Sequence, residues 1–70
     1  MRWFEQVRQD WIAETLRIFG FIQRKHLMLK FGISEPQASA DLQKFQQDHP
    51  GVMHYDAKQK RYVANLSTGN

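Results

Sequence analysis

Apolar residues recur at two different spacings along the chain, and the change between these spacings divides it into elements. Spacings of three and four residues predict helices over residues 3–19, 24–31 and from residue 35 to about residue 47. Residues 52–55 and 61–64 are short β-prone segments separated by a mostly polar stretch, which predicts an antiparallel hairpin. Residues 21–22 could add a third short strand. The pattern therefore predicts an α+β fold that is mainly α.

The turn between the second and third predicted helices carries the strongest local signals. Gly32 can adopt the left-handed conformation that ends a helix, and Ile33 can fix the turn to the core. Ser34 is a good N-cap, and Pro36 lies in a first turn, where proline is tolerated. Two helices joined by a short glycine-containing turn are typical of the helix-turn-helix motif, whose second helix enters the DNA major groove.

The third helix has one apolar stripe and an opposite polar face. Ala38, Leu42 and Phe45 share the stripe that should be buried. The opposite face and its flanks hold Pro36, Gln37, Ala40, Gln43, Lys44 and Gln47. Amides and a small alanine suit base edges, since glutamine can bond adenine and alanine can contact a thymine methyl group. The alternative is an ordinary solvated face, which is the more common situation for a helix considered alone.

The first helix carries more apolar surface than a three-helix core can readily bury. Ile12, Leu16 and Phe19 form one stripe, and a second stripe holds Trp3, Val7, Trp11 and Ile18, with Phe4 at its margin. We expect the second stripe to meet a partner, either another copy of the chain or a following domain. A two-fold dimer would require a palindromic operator. The alternative is that the hairpin covers both stripes within one chain.

Composition limits the chain to one small domain without covalent cross-links. It has 70 residues and no cysteine, which excludes disulfides and thiol-ligated zinc. Nine aromatic residues make a compact core feasible. We expect the domain to span residues 1–64, followed by a polar tail at residues 65–70.

Positive charge is concentrated in two segments. Residues 21–34 hold Arg24, Lys25 and Lys30 without any acid, and the late hairpin holds Lys58, Lys60 and Arg61 against one aspartate. Residues 1–20 are neutral in sum, and residues 35–48 are weakly acidic. This distribution predicts a winged helix-turn-helix that grips the phosphate backbone from two elements. The alternative for the hairpin is that its lysines serve only solubility and edge protection.

Residues 29–42 resemble the winged helix-turn-helix of DeoR-type repressors and, more closely, the amino-terminal domain of WYL-domain transcriptional regulators, including those that control anti-phage defence islands. A hydrophobic residue followed by serine opens the recognition helix, and an Asp-Leu pair, here Asp41-Leu42, lies in its middle. The resemblance extends over about residues 21–64. It implies a sequence-specific regulator of transcription, most simply a repressor that binds double-stranded DNA. It also implies that Asp41 bonds a basic residue of the second helix.

This reading predicts a set of DNA contacts. Ser34 would bond phosphate, whereas Gln37, Gln43 and Lys44 would read the major groove. The DeoR-type pattern usually has basic residues before the aspartate, and Ser39 and Ala40 stand there instead. The complete predicted set is Arg24, Lys25, Ser34, Pro36, Gln37, Ser39, Ala40, Gln43, Lys44, Lys58, Lys60 and Arg61.

Other function classes find little support in the sequence. The three histidines match no zinc motif, and neither a hydrolase nucleophile nor a glycine-rich phosphate loop is present. We therefore expect no enzyme, cofactor or metal. No apolar run is long enough for a membrane span and no signal peptide is apparent, so we expect a cytoplasmic protein. The alternatives are a protein-interaction module of phage or mobile-element origin and an RNA-binding winged helix. An effector domain could follow if the chain is a fragment.

Overall fold

The computed structural model describes residues 2–65, in which three helices precede most of a small sheet. The elements are α1 (Arg2–Phe19), β1 (Phe21–Ile22), α2 (Arg24–Phe31), α3 (Glu35–Asp48), β2 (Met53–Asp56) and β3 (Arg61–Ala64). The predicted fold class is confirmed, including the third short strand at residues 21–22. Of the predicted polar tail at residues 65–70, only Asn65 is among the described residues.

The sheet joins the hairpin to the helices. Its strand order is β1-β3-β2 and both pairings are antiparallel, so β3 is the central strand. Ile22 lies opposite Tyr62 in one pairing, and Tyr55 lies opposite Tyr62 in the other. The Ala64 N–H also donates to the Gly20 carbonyl over 2.8 Å. The hairpin of β2 and β3, which forms the wing of the fold, is thus fixed to the connection between α1 and α2.

The core lies between the three helices and one face of the sheet. Its buried apolar residues are Ile12, Leu16, Ile22, Leu27, Ala38, Leu42, Phe45 and Met53. This confirms the predicted buried stripe of α3. Of the α1 stripe Ile12, Leu16 and Phe19, the first two are buried, whereas Phe19 is 68% exposed. The chain reverses at Gly20, where φ is 84°, and Ile22 enters the core in place of Phe19.

The turn between α2 and α3 has the local structure that its residues predict. Gly32 follows α2 with φ 65° and ψ 35°, and its N–H donates to the Met28 carbonyl over 2.8 Å. The Ser34 hydroxyl accepts from the Gln37 N–H over 3.3 Å, and Pro36 lies in the first turn of α3. Backbone hydrogen-bonding groups at the end of α2 and at the start of α3 thus find partners within the turn itself. The direction in which α3 starts is therefore fixed by the turn.

Candidate nucleic-acid interface

The polar face of α3 points away from the core. Pro36, Ala40, Gln43 and Gln47 are all exposed, whereas Ala38, Leu42 and Phe45 on the opposite side are buried. Ser34, which opens the helix, is exposed as well. The face predicted to meet DNA is therefore accessible along the length of α3.

The edge of α3 next to α1 is held by a buried ion pair. Asp41 is only 2% exposed, and the Arg8 Nε donates to its Oδ2 over 2.6 Å while the Arg8 Nη2 donates to Oδ1 over 3.2 Å. Gln9 adds a bond from its Nε2 to the Asp41 carbonyl over 2.9 Å. The expected partner of Asp41 was a basic residue of helix two, and this was wrong. Asp41 lies on the side of α3 that packs against α1, so Arg8 reaches it instead.

A sequence signal for this contact does exist. Arg8 and Gln9 stand four and three residues before Ile12, which places them beside the buried stripe of α1. A polar pair next to a buried stripe indicates a buried partner, because uncompensated charges are costly in a core. The sequence does not indicate which carboxylate is that partner.

Two of the three predicted base-reading side chains are already bonded to carboxylates. The Gln37 Nε2 donates to Asp41 Oδ1 over 3.0 Å, and the Lys44 Nζ donates to Asp48 Oδ2 over 3.1 Å. The hydrogen bond to Asp48 and the charge of that carboxylate, with a smaller contribution from Glu5, raise the pKa of Lys44. Gln37 and Gln43 are both exposed, whereas Lys44 is half-buried.

The opposite edge of α3 meets α2 and the tip of the wing. The Arg24 Nη1 lies 3.4 Å from Glu35 Oε2 and donates to the Ser39 hydroxyl over 3.3 Å. Arg24, Lys25, Glu35 and Lys60 also line one surface depression. The start of α2 and the wing tip thus bring their cations to the same side of the molecule, beside the first turn of α3.

The wing has an ordered tip and a fixed base. The Asp56 Oδ1 accepts from the Lys58 and Gln59 N–H groups over 3.0 and 3.2 Å, which closes the turn. Lys58 and Lys60 are exposed. Arg61 is only partly exposed, and its guanidinium lies 4.2 Å from the centre of the Phe21 ring. Arg61 therefore anchors the wing on β1, whereas the two lysines extend into solvent.

The predicted partner surface on α1 is mostly exposed. Trp3 and Phe4 are 65% and 57% exposed, Ile18 is exposed too, and Val7 is half-buried. Trp11 packs edge to face on Phe31 of α2 at 5.7 Å, so part of it belongs to the core. The hairpin does not cover these residues. Sequence reasoning missed the exposure of Phe19 and Leu29, which line one depression together with Trp11.

Within residues 2–65, no group of three or more potential metal-ligating side chains comes together. None of the helices in that range combines the length and the apolar character needed to cross a bilayer.

Comparison with known proteins assigns the family. Residues 5–67 match the BrxR transcriptional regulator winged helix-turn-helix domain. The chain belongs to this family. The match agrees with a winged helix-turn-helix regulator as predicted, whereas it does not itself distinguish a DeoR or WYL type.

Individual relatives of this BrxR-type domain carry one common description. A protein of Stenotrophomonas maltophilia described as "DNA-binding transcriptional repressor CapW" is 42% identical over 64 residues, which cover 91% of this chain and 21% of the relative. Proteins with the same description from Escherichia coli and Pseudomonas aeruginosa are 39% and 36% identical over 87% and 94% of this chain, and 20% and 22% of their own length. The chain therefore spans about a fifth of the length of the curated relatives it matches.

Proposed function

We propose that the chain binds double-stranded DNA in a sequence-specific way and acts as the DNA-binding domain of a transcriptional repressor. The observation that carries this proposal is the exposed polar face of α3, flanked on one side by Arg24, Lys25 and Lys60. A recognition helix needs an outward polar face, and neighbouring cations hold the phosphates on either side of the groove. The descriptions of the relatives support the same function.

Each predicted residue has a role in this proposal. Ser34 and the first turn of α3, with Pro36, approach a phosphate, while Gln37, Ala40 and Gln43 face the base edges. Lys44 and Ser39 lie at the two margins of that face. Arg24 and Lys25 hold the flanking backbone, and Lys58 and Lys60 bind phosphate or the minor groove from the wing. Arg61 contributes mainly by fixing the wing, because its guanidinium lies over Phe21.

The experiment that tests this function is duplex binding as a function of salt concentration. We expect affinity for a random duplex to fall steeply with salt, and Lys58→Ala to flatten the slope of log affinity against log salt by about one unit. Arg17→Ala is the matched control, since Arg17 is an exposed cation of α1 already paired with Glu14 at 2.7 Å. No duplex binding, or equal slopes for all three proteins, would contradict the proposal. Stronger binding of duplex RNA than of DNA would favour the RNA-binding alternative.

We also propose that the exposed apolar surface of α1 pairs two copies of the protein. Trp3, Phe4 and Ile18 are each more than half exposed, and exposed aromatic residues grouped on one surface are typical of interfaces. A two-fold pair would present two recognition helices to the same side of a duplex. Sedimentation equilibrium tests this proposal. A protein that is monomeric at tens of micromolar would contradict it, whereas weaker self-association of Trp3→Ser than of the wild type would support it.

The wider setting is also a proposal. The resemblance to WYL-domain regulators and the greater length of the relatives support an amino-terminal DNA-binding domain followed by an effector domain. In this proposal the function requires neither catalysis nor a cofactor, and the protein acts in the cytoplasm, where bacterial DNA is located. The exposed apolar surface also supports the alternative of a protein-interaction module. Salt-dependent duplex binding separates these two, because only the regulator requires it.

A further inference from the structure

The side-chain amide of Gln37 is held in one orientation by the carboxylate next to it. Its Nε2 donates to Asp41 Oδ1 over 3.0 Å. An ionised carboxylate accepts hydrogen bonds and cannot donate them. The nitrogen of the Gln37 amide must therefore face Asp41, and its carbonyl oxygen, Oε1, must face away.

The Asp41 carboxylate is itself fixed. The Arg8 guanidinium donates to both of its oxygens, over 2.6 and 3.2 Å, and the two side chains are only 15% and 3% exposed. Gln9 holds the Asp41 main-chain carbonyl from the same helix. Bidentate pairing of this kind restricts rotation as well as position. A chain of contacts thus runs from α1 through Asp41 to an exposed amide in the first turn of α3.

The orientation of Gln37 decides which bases it can bond. In the major groove, adenine N6 and cytosine N4 donate hydrogen bonds, whereas guanine presents only acceptors and thymine presents an acceptor and a methyl group. A carbonyl oxygen directed at the groove can pair with adenine or cytosine alone. Adenine is the better partner, because its N7 can also accept from the second N–H of the amide. A glutamine free to turn over could instead donate to guanine or thymine.

We propose that Asp41, held by Arg8, is a positioning residue that makes Gln37 present its carbonyl oxygen to DNA, so that the base opposite Gln37 is adenine or, less favourably, cytosine. This rests on the proposed function and adds a specificity to it. Asp41 does not touch DNA in this arrangement. It acts through Gln37 alone, so its effect on specificity is confined to one base pair.

The test is selection of bound sites from a random duplex library with five proteins, the wild type and four variants. Gln37→Ala identifies the base pair that Gln37 reads, because it relaxes preference at that pair only. In the wild type, adenine should be favoured there over guanine and thymine by about 5- to 150-fold, the range for one good base contact. Asp41→Asn keeps the size of the side chain but can donate or accept, so Gln37 can turn over. We expect guanine and thymine to gain at that pair and the other pairs to stay unchanged.

A second variant separates a change in base preference from a loss of folding. Arg8→Met with Asp41→Met removes both charges together and leaves no buried charge unpaired. It should show the same broadening as Asp41→Asn, with helical content confirmed by circular dichroism. A general structural role would instead lower affinity for all sequences alike. Asp41→Glu retains the charge and should restore most of the adenine preference.

The outcomes separate the two proposals. If the wild type binds no duplex or enriches no sequence, the proposed function fails. If it enriches a site but the pair relaxed by Gln37→Ala holds guanine or thymine, the orientation argument is overturned while the function stands. The same holds if Asp41→Asn and the double methionine variant fold and keep the wild-type preference. If none of the Asp41 variants folds, the identity of the base at the pair relaxed by Gln37→Ala still decides.

Discussion

The two long edges of α3 are built from the same kinds of residue but in opposite physical settings. On the α1 edge, Arg8 and Asp41 are almost removed from water and approach to 2.6 Å. On the α2 edge, Arg24 and Glu35 approach to 3.4 Å, and their side chains are 48% and 58% exposed. The first pair has one geometry, whereas the second is solvated and can rearrange at little cost.

This difference matches two tasks that a DNA-binding surface has to perform. Reading a base edge requires a side chain held at a defined angle, which a buried and hydrogen-bonded carboxylate can impose on Gln37. Gripping phosphates requires positive charge that can adapt to the backbone, which exposed side chains such as Lys25 and Lys60 supply. A helix with fixed geometry on one edge and adaptable charge on the other is therefore suited both to reading bases and to binding phosphates.

The largest expected effect comes from breaking the buried pair. Asp41→Ala leaves Arg8 partly buried without its anion, so we expect the free energy of unfolding to fall by about 3–5 kcal/mol. That is a large fraction of the stability of a domain this small. The measurement is urea denaturation followed by circular dichroism.

The matched substitution on the other edge is Glu35→Ala. It removes an exposed partner, and we expect a loss of about 0–1 kcal/mol. If Asp41→Ala and Glu35→Ala lowered the free energy of unfolding by similar amounts, the proposed energetic difference between the two edges of α3 would be wrong. In the same experiment, the double substitution of Arg8 and Asp41 by methionine should recover most of the stability lost by Asp41→Ala.

The sequence predicts the two edges unequally, and the reason is the distance over which their signals act. The helix-turn-helix follows from Gly32, Ser34 and Pro36, whose effects reach only a few residues along the backbone. Arg8 and Asp41 are 33 residues apart in sequence, and their contact depends on how α1 crosses α3. Periodicity places each on a helix face but does not pair the faces. The outward position of Phe19 was missed for a related reason, since Ile22 of a different element fills the core there.

The second prediction separates charge from stability on the wing edge. Lys60 has a φ of 57°, a left-handed conformation that glycine adopts without strain. We expect Lys60→Gly to stabilise the fold by up to about 1 kcal/mol, because relief of that strain outweighs the added entropy of the unfolded chain. Duplex affinity should fall at the same time, since one cation is lost. Thermal denaturation and salt-dependent duplex binding measure the two effects.

Lys58→Gly is the control for this variant. It removes the same charge and adds the same glycine, but Lys58 is not among the described residues with positive φ. It should weaken duplex binding to a similar extent and slightly destabilise the fold. Stabilisation by both substitutions would show that the backbone conformation of Lys60 is not the cause.

The smallest expected effect concerns the start of α2, where a histidine contributes to the more exposed edge. The His26 Nδ1 accepts from the Gln23 N–H over 3.1 Å, and burial, followed by the nearby charge of Lys25, lowers the pKa of His26 from its ordinary value of 6.5. The folded state therefore binds a proton less readily than the unfolded state. The contribution of His26 to the free energy of unfolding is therefore complete above about pH 6.5, and it is lost as the pH falls through the lower pKa that His26 has in the folded state.

His26→Gln removes this titration and isolates it from the other two histidines. We expect the wild type to lose more stability than the variant between pH 7 and pH 5, as measured by urea denaturation at each pH. The difference should be small, because the ring is only half-buried. Equal losses in the two proteins would show that protonation of His26 does not weaken the start of α2. A larger loss in the wild type is the expected result, because a protonated Nδ1 can no longer accept from the Gln23 N–H.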